Sequence, residues 1–548
     1  MSIKKLTFKD FIYFFVILVV ATYFISIFVI NLIGRFWPNF DIYSDAILAK
    51  YMWQSQSLFP DGWHFGNQIY TVATPAVAAL LYGIVKDAYL ALALASCLMT
   101  IGIVVSYFWC LKPFINTRYI IISLLVLIGG TNISFTAHQD LKGFQIFYTM
   151  ASYYACYVIG IFVTLGVYFR LTKNIKVHTV MQLLVLIYNC ALGMQSLREL
   201  LVLNLPLCAI AVLDIILHNN SLRINIQEKR NGYTFAFLAL GANICGVIIT
   251  KLLTLNGVIN QATILRNVSS DIWYNFKVSL RALFDYIGLN IPTGSSGLLA
   301  LICATFSIII VFFALICIYT EYRKNQTISV LGYSIIFFII SLLAVFSAGL
   351  FVISVRDIYF FCWYLLVATT VATLMQIKCE KHQKMLTSLK YLLTICLIVI
   401  SVLNYKRTFY TSFCWANDDH NCYQEIVSQL KADDIRYLYS DWRTDKNRIS
   451  SMAHDEIQYG TLSFSGNPED LWVHLDYLYH EGWFEPKNFE HAYIILSDYT
   501  LYCLECEFSE EYRTTLMDNL EYVYSFPAGG EMLHFYLGSE KIYRDMIQ

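Results

Sequence analysis

The stretch QIYTVATPAVAALLYGIV, residues 68–85, sets the polarity of everything after it in this 548-residue chain. It is apolar enough to pass for a membrane-crossing helix. A crossing helix needs about 20 apolar residues, and eleven other stretches meet or approach that length: 10–33, 88–111, 119–135, 146–169, 179–195, 200–217, 233–254, 298–319, 328–353, 358–377 and 389–405. Cytoplasmic loops of membrane proteins carry an excess of Lys and Arg. With 68–85 left out of the count and the N-terminus inside, every basic cluster falls on one side: Lys4/Lys5/Lys9, Lys112/Arg118, Arg170/Lys173/Lys176, Arg223/Lys229/Arg230, Arg323/Lys324 and Lys378/Lys381/Lys384/Lys390. With it counted, every later loop turns over and the pattern breaks. We therefore read 68–85 as an interfacial or half-inserted helix on the outer side.

Composition agrees with a membrane protein. The chain is 57% hydrophobic and 14% charged, against about 25% charged in a soluble domain. Its net charge of −1 gives no bulk attraction to nucleic acid, so no nucleic-acid partner is expected. The 40 Tyr, 38 Phe and 10 Trp suit side chains at bilayer interfaces. The first apolar run is too long for a signal-peptide core and lacks a small-residue cleavage site, so it reads as a retained span. Most of the 15 cysteines lie in apolar runs, where a thiol behaves as a small hydrophobe. Four lie in the polar C-terminal part, where Cys414–Cys422 and Cys503–Cys506 stand open between disulfide and free thiol. A single CxxC falls short of the four ligands of a structural zinc site.

The expected fold is a mainly α, polytopic transmembrane bundle of eleven spans over 1–405, with a small extracytoplasmic α/β domain over 406–548. That last part has no membrane-length run. It alternates helix-like stretches (CYQEIVSQL, EEYRTTLMDNL) with strand-like ones (IRYLYS, AYIILS, LHFYLG). Outer segments cover about 34–87, a short turn near 138–142 and about 255–297.

Residues able to do chemistry gather at the outer span ends. In FDIYSD, Asp41 and Asp45 are four apart, which puts them on one face of a helix. There they serve as a general base, hold a divalent cation beside a phosphate, or simply cap the AILAKYMW helix. Asp61, in FPDGW, reads as a turn residue. Trp37, Trp53 and Trp63 form either an interfacial belt or stacking surfaces. His138, Gln139, Asp140 and Lys142 either complete a carboxylate pair or metal site with Asp45, or are a solvated turn. Arg198 and Glu199 sit at the tip between spans 179–195 and 200–217: Arg grips a phosphate bidentately, but the pair could also be an internal ion pair. Arg356, beside Asp357, is the cation expected nearest a cavity. Arg266, Asp271, Lys277, Arg281 and Asp285 each read individually as surface charge. No Walker loop, GxGxxG, HExxH or GxSxG is present, which removes the sequence case for an ATP-driven pump or a metalloprotease.

One span, a long outer loop with early acidic residues (FDIYSD), an "AK" helix, LFPDGWHF, an apolar half-helix, many spans and an outer domain together resemble the GT-C class of membrane glycosyltransferases, bacterial members in particular. The resemblance covers the architecture of the whole chain, with motif-level support over about 38–85. It implies transfer of a hexosyl or pentosyl group from a polyprenyl-phosphate sugar donor to a glycan, lipid or protein acceptor, on the outer face of the plasma (inner) membrane, with inversion. It places the essential acid and general base at Asp45 in preference to Asp41, with Asp140, His138 or Glu199 as a second acidic, metal or acceptor group. The donor phosphate then meets Arg198, Arg356 and Arg281, with Mg or Mn as the one cofactor admitted. The tight acidic pair of protein O-mannosyltransferases is missing, so no subfamily is implied. The alternatives are a transporter or flippase of lipid-linked glycans, and a non-catalytic cell-envelope assembly protein. Reporter fusions within 34–87 are expected to be active only when the reporter works outside the cell, and fusions within 170–178 only when it works inside.

Overall fold

The computed structural model describes residues 8–35, 40–66, 68–129, 134–135, 141–142, 147–149, 154–217, 222–261, 268–289, 295–377, 383–415, 420–441, 444, 447–474, 478–528 and 530–547. Among them, nine helices are long and apolar enough to cross a membrane: Lys9–Gly34, Ala88–Leu111, Ala155–Thr172, Leu200–Leu217, Lys229–Leu255, Leu301–Asn325, Val330–Phe351, Asp357–Gln376 and Gln383–Tyr405. Several carry apolar side chains open on their outer faces, such as Phe14, Val105, Ile216 and Phe312. Such surfaces suit lipid rather than water.

Two of the eleven expected spans are shorter than a crossing. The 119–135 run forms a helix only over Thr117–Leu127, and 179–195 forms the 17-residue helix Thr179–Gln195. The first stops where the sequence reaches Gly129-Gly130, poor helix formers that hydropathy does not register. Its end is buried, and the Leu127 carbonyl accepts from the Tyr148 hydroxyl at 2.6 Å and the Tyr364 hydroxyl at 2.8 Å. Side chains from other segments thus satisfy the broken end, as a low-dielectric interior requires. Residues 68–85 hold a helix only over Thr74–Val85, 12 residues, started by Pro75 in its first turn and ended at Lys86 with φ 56°. At 1.5 Å per residue that spans about 18 Å, too short to cross.

A second irregularity follows from Pro206. Proline has no N–H, so the carbonyl four residues earlier loses its helical donor. The chain responds with a π-helical turn over Leu200–Asn204, and the Val202 carbonyl accepts instead from Ser341 Oγ at 2.9 Å. Such turns often mark functional sites.

The C-terminal region is the expected α/β unit. Its six-stranded sheet runs, edge to edge, 520–528, 531–538, 492–497, 437–441, 458–467, 470–474. Strand Tyr437–Asp441 is parallel to both neighbours and the outer pairings are antiparallel. The last span's helix runs on to Trp415, past the composition boundary at 405. Cys422, Cys503 and Cys506 are free thiols. Cys503 and Cys506 share one helix, with Cys503 turned into the core and Cys506 into solvent, so neither faces the other. The side chain of Cys414 lies outside the described residues.

This domain is fastened onto the segment between the first two membrane-length helices and the start of the second. Tyr43 stacks on Tyr459 with centroids 3.6 Å apart, and the Tyr459 amide donates to the Tyr43 hydroxyl at 3.0 Å. Lys50 pairs with Asp455 at 3.0 Å, Asp87 with His454 at 2.9 Å, and the Tyr89 hydroxyl donates to Ser450 Oγ at 3.1 Å. Strand Trp63–Phe65 pairs with Tyr479–His480 on one side and Asn260–Gln261 on the other, so three distant segments share one small sheet. Asp61 lies in a turn with Gly62 at φ 72°, as expected. Trp63 belongs to no belt: it is 1% exposed, packed on Tyr51, His480 and Trp483. Trp53 is half-buried beneath Lys86, and Trp37 lies outside the described residues.

Removing either stacked ring leaves a buried void. Tyr43→Ala and Tyr459→Ala are each expected to destabilise by about 3–5 kcal/mol, and the double variant by less than their sum because the two share one contact. Thermal unfolding in detergent checks this, with limited proteolysis of the C-terminal domain as a second readout.

Candidate active site

Helix Phe40–Ser55 carries both early acids, one turn apart. Tyr43 and Lys50, seven apart, lie on the opposite face, held by the C-terminal domain. The acids are thereby turned toward the helical bundle. Asp45 is 1% exposed, and neither of its oxygens makes a regular hydrogen bond. The Tyr70 hydroxyl is within reach of both this carboxyl and the Gln68 side chain. Asp41, at the helix start, is exposed, yet the surrounding protein still raises its carboxyl.

Arg198 lies in the same neighbourhood. Helix Thr179–Gln195 ends at Ser196, whose hydroxyl accepts from the Arg198 amide at 3.1 Å before the π-turn begins. The guanidinium sits 4.5 Å from the Tyr154 ring, 5.3 Å from Tyr359 and 5.5 Å from Tyr157. Its Nη1 donates to Gln68 Oε1 at 3.4 Å, and the Tyr157 hydroxyl donates to the same oxygen at 3.3 Å. Among the described residues no carboxylate lies within ion-pair distance of it. Cation–π contacts hold a guanidinium without neutralising it, so the cage presents a positive charge still able to take an anion. Glu199, next in sequence, is fully buried, with both oxygens unpartnered. It has room because residue 160 is glycine: a Cβ there would stand 2.9 Å from Glu199 Oε1. Burial holds its carboxyl well above the usual carboxylate range, against the pull of Arg198.

Arg356 precedes the short 3-10 turn Asp357–Phe360, which also supplies Tyr359 of the cage. Its exposed charge acts on both Asp41 and Tyr154. The fold thus gathers Asp41, Asp45, Arg198, Glu199 and Arg356 from three segments. Arg281 is not among them: its side chain is 79% exposed and pairs with Asp285 at 3.9 Å along one helix. His138, Gln139, Asp140 and Arg266 lie outside the described residues, as does the side chain of Lys142. No cluster of three His, Cys, Asp or Glu residues suited to a metal occurs among the described residues.

Sequence reasoning missed Gln68, Tyr70, Tyr154, Tyr157, Gln195 and Tyr359. The i, i+3 spacing of Tyr154 and Tyr157 was the one visible signal. It also missed Asp214 inside a span, which is closed off by Lys229, Tyr233 and Tyr333, each at 2.7 Å.

The two acids are set apart electrostatically. Burial raises the Asp41 carboxyl, and Arg356 pulls it back down. Burial raises Asp45 well above the usual range, and the Asp41 charge raises it further. Asp41 therefore ionises first while Asp45 keeps its proton, and a pair split in this way divides into base and neutral acid.

Because folded Asp45 binds its proton more tightly than the unfolded chain does, stability falls as pH rises from the ordinary carboxylate range through the raised value. Asp45→Asn removes the buried group that must ionise. It is expected to be more stable than wild type at pH 8 by about 1–3 kcal/mol, with the difference vanishing near pH 4. Melting curves in detergent across that range check the sign. Comparison with known proteins gives no further guide to the chemistry: no family model matches this chain, and no curated protein matches it.

Proposed function

We propose that this protein is an integral membrane glycosyltransferase that moves a sugar from a polyprenyl-phosphate donor to an acceptor hydroxyl at the outer face of the plasma membrane. The observation that carries the reading is the caged, unneutralised Arg198 close to a split carboxylate pair, on loops at the ends of membrane-length helices. The donor phosphate meets Arg198 and Arg356, and its lipid chain lies between helices toward the bilayer. Asp41, the accessible carboxylate, takes the acceptor's proton as the hydroxyl oxygen attacks the anomeric carbon. The new glycosidic C–O bond forms as the bond to the phosphate oxygen breaks, the electron pair leaves on the phosphate, and attack from the opposite face inverts the centre. The two arginines stabilise the charge that develops there. Asp45, protonated, holds Tyr70 behind Asp41. Giving the base role to Asp41 rests on access: Asp45 is shut from solvent, whereas Asp41 is exposed, with the Arg356 charge acting on it.

The transporter reading draws on Asp214, a charge at membrane depth. That carboxylate is fully engaged by Lys229 and two tyrosines, which favours a structural role.

The test is the purified full chain with a panel of polyprenyl-phosphate sugars. Asp41→Asn is expected to lower turnover by about 10²–10⁴-fold, the range for loss of a positioned base. Arg198→Lys is expected to raise the donor KM, because lysine loses the planar stacking and fork geometry. Wild-type activity should rise with pH through a limb above the ordinary carboxylate value of about 4. Turnover indifferent to Asp41→Asn and to Asp45→Asn alike would remove the assignment.

A further inference from the structure

Away from these residues, the ends of two membrane-length helices leave apolar side chains uncovered: Leu252 and Leu255 on one, Phe351 on the other, with Val258 and Val352 just beyond. These ends lie on the side of the first outer loop, since Asn260–Gln261 pairs with Trp63–Phe65. Helix Ile272–Ile287 rests on the second of these helices and on the turn Asp357–Phe360.

Local chemistry fixes that helix. Asp271 accepts from the Trp273 and Tyr274 amides at 2.8 and 3.2 Å, and Gly288, at φ 90°, ends it. It is strongly two-faced. Asn275, Ser279, Ala282 and Tyr286, spaced by four, three and four, are buried. Trp273, Tyr274, Lys277, Arg281 and Phe284 are exposed. Trp273 lies flat on Phe276, and the Lys277 ammonium stands 5.9 Å from the Trp273 ring. Among the described residues Lys277 has no carboxylate partner.

Between this helix and the end of Val330–Phe351 is a cavity of about 320 Å³. Hydroxyls of Ser269, Tyr274 and Ser354 stand among Val268, Val278 and Val355 in its wall. The Asn275 amide braces that wall, donating to the Ser269 and Leu350 carbonyls at 2.7 and 3.1 Å.

We propose that this cavity holds the headgroup of a membrane phospholipid, with the phosphodiester at Ser269, Tyr274 and Ser354, Lys277 reaching it from one helical turn beyond Tyr274, and the acyl chains along Phe351 and Val352. Continuity decides the occupant. Gly349 in the cavity wall belongs to the last turns of Val330–Phe351, a helix long enough to cross a membrane, and aromatic plus basic side chains such as Trp273 and Lys277 are what the headgroup layer selects. The cavity suits a headgroup and is too small for a folded partner. The site does not depend on the sugar-transfer reading. It does touch the same framework, because its wall runs from Ser354 and Val355 into Arg356, and its helix supports the turn carrying Tyr359.

The test uses the full chain purified in mild detergent, with native mass spectrometry and extraction of retained lipid. Wild type is expected to keep one phospholipid per chain. Lys277→Glu and Ser354→Phe should each cut retention by about fivefold or more, with unchanged melting temperature, while Lys277→Arg retains it. In nanodiscs of brominated phosphatidylcholine, part of the tryptophan fluorescence should be quenched, and Trp273→Phe should remove that part. Equal retention in wild type and both disruptive variants, a retained polyprenyl phosphate in place of phospholipid, or quenching unaffected by Trp273→Phe would overturn the proposal.

Discussion

One helix has to face two ways. Phe40–Ser55 gives Tyr43 and Lys50 to the C-terminal domain and Asp41 and Asp45 to the bundle, and its rotation is fixed by the first pair. The ring stack and amide bond at Tyr459, with the ion pair to Asp455, leave it one orientation. If the helix turned by a third, the carboxylates would meet the domain. The C-terminal domain therefore sets which way the two acids face.

Opposite that helix, the structure solves a different problem. A guanidinium at the edge of a low-dielectric region needs either a counter-ion or a surface that tolerates its charge. Three tyrosine rings provide the second, and Gln68 accepts one of its hydrogen bonds. The adjoining Glu199, the nearest candidate counter-ion by sequence, is buried away on Gly160 and kept neutral by desolvation. Burial thus works against ionisation of Glu199 despite the pull of Arg198, which leaves Arg198 able to meet an anion from outside the chain.

The irregular helices make this geometry accessible. Short helices at Thr74–Val85 and Thr179–Gln195, and the π-turn before Pro206, break the regular span pattern around residues 196–204. Broken backbone is tolerated at such depth only where side chains complete its hydrogen bonds, as Ser341 does for Val202.

Hydropathy and strand-like alternation in the sequence were enough to determine that the chain is built from membrane-length helices with a strand-bearing C-terminal unit, because those signals are local and additive along the chain. The Asp61 turn was equally local. The helix spacing of Asp41 and Asp45 was legible too, but not which of them is buried, since that depends on Tyr70 and the docked domain. The length of 119–135 was misjudged because glycine and long-range tyrosine caps, not apolarity, set where that helix stops, whereas 179–195 has the expected bounds and is simply short for a crossing. Arg281 read as surface charge on its own residues and joined Arg198 and Arg356 only through the family resemblance. Only tertiary structure separated them, since a tyrosine cage needs residues more than 150 positions apart, and no local pattern specifies contacts at that distance.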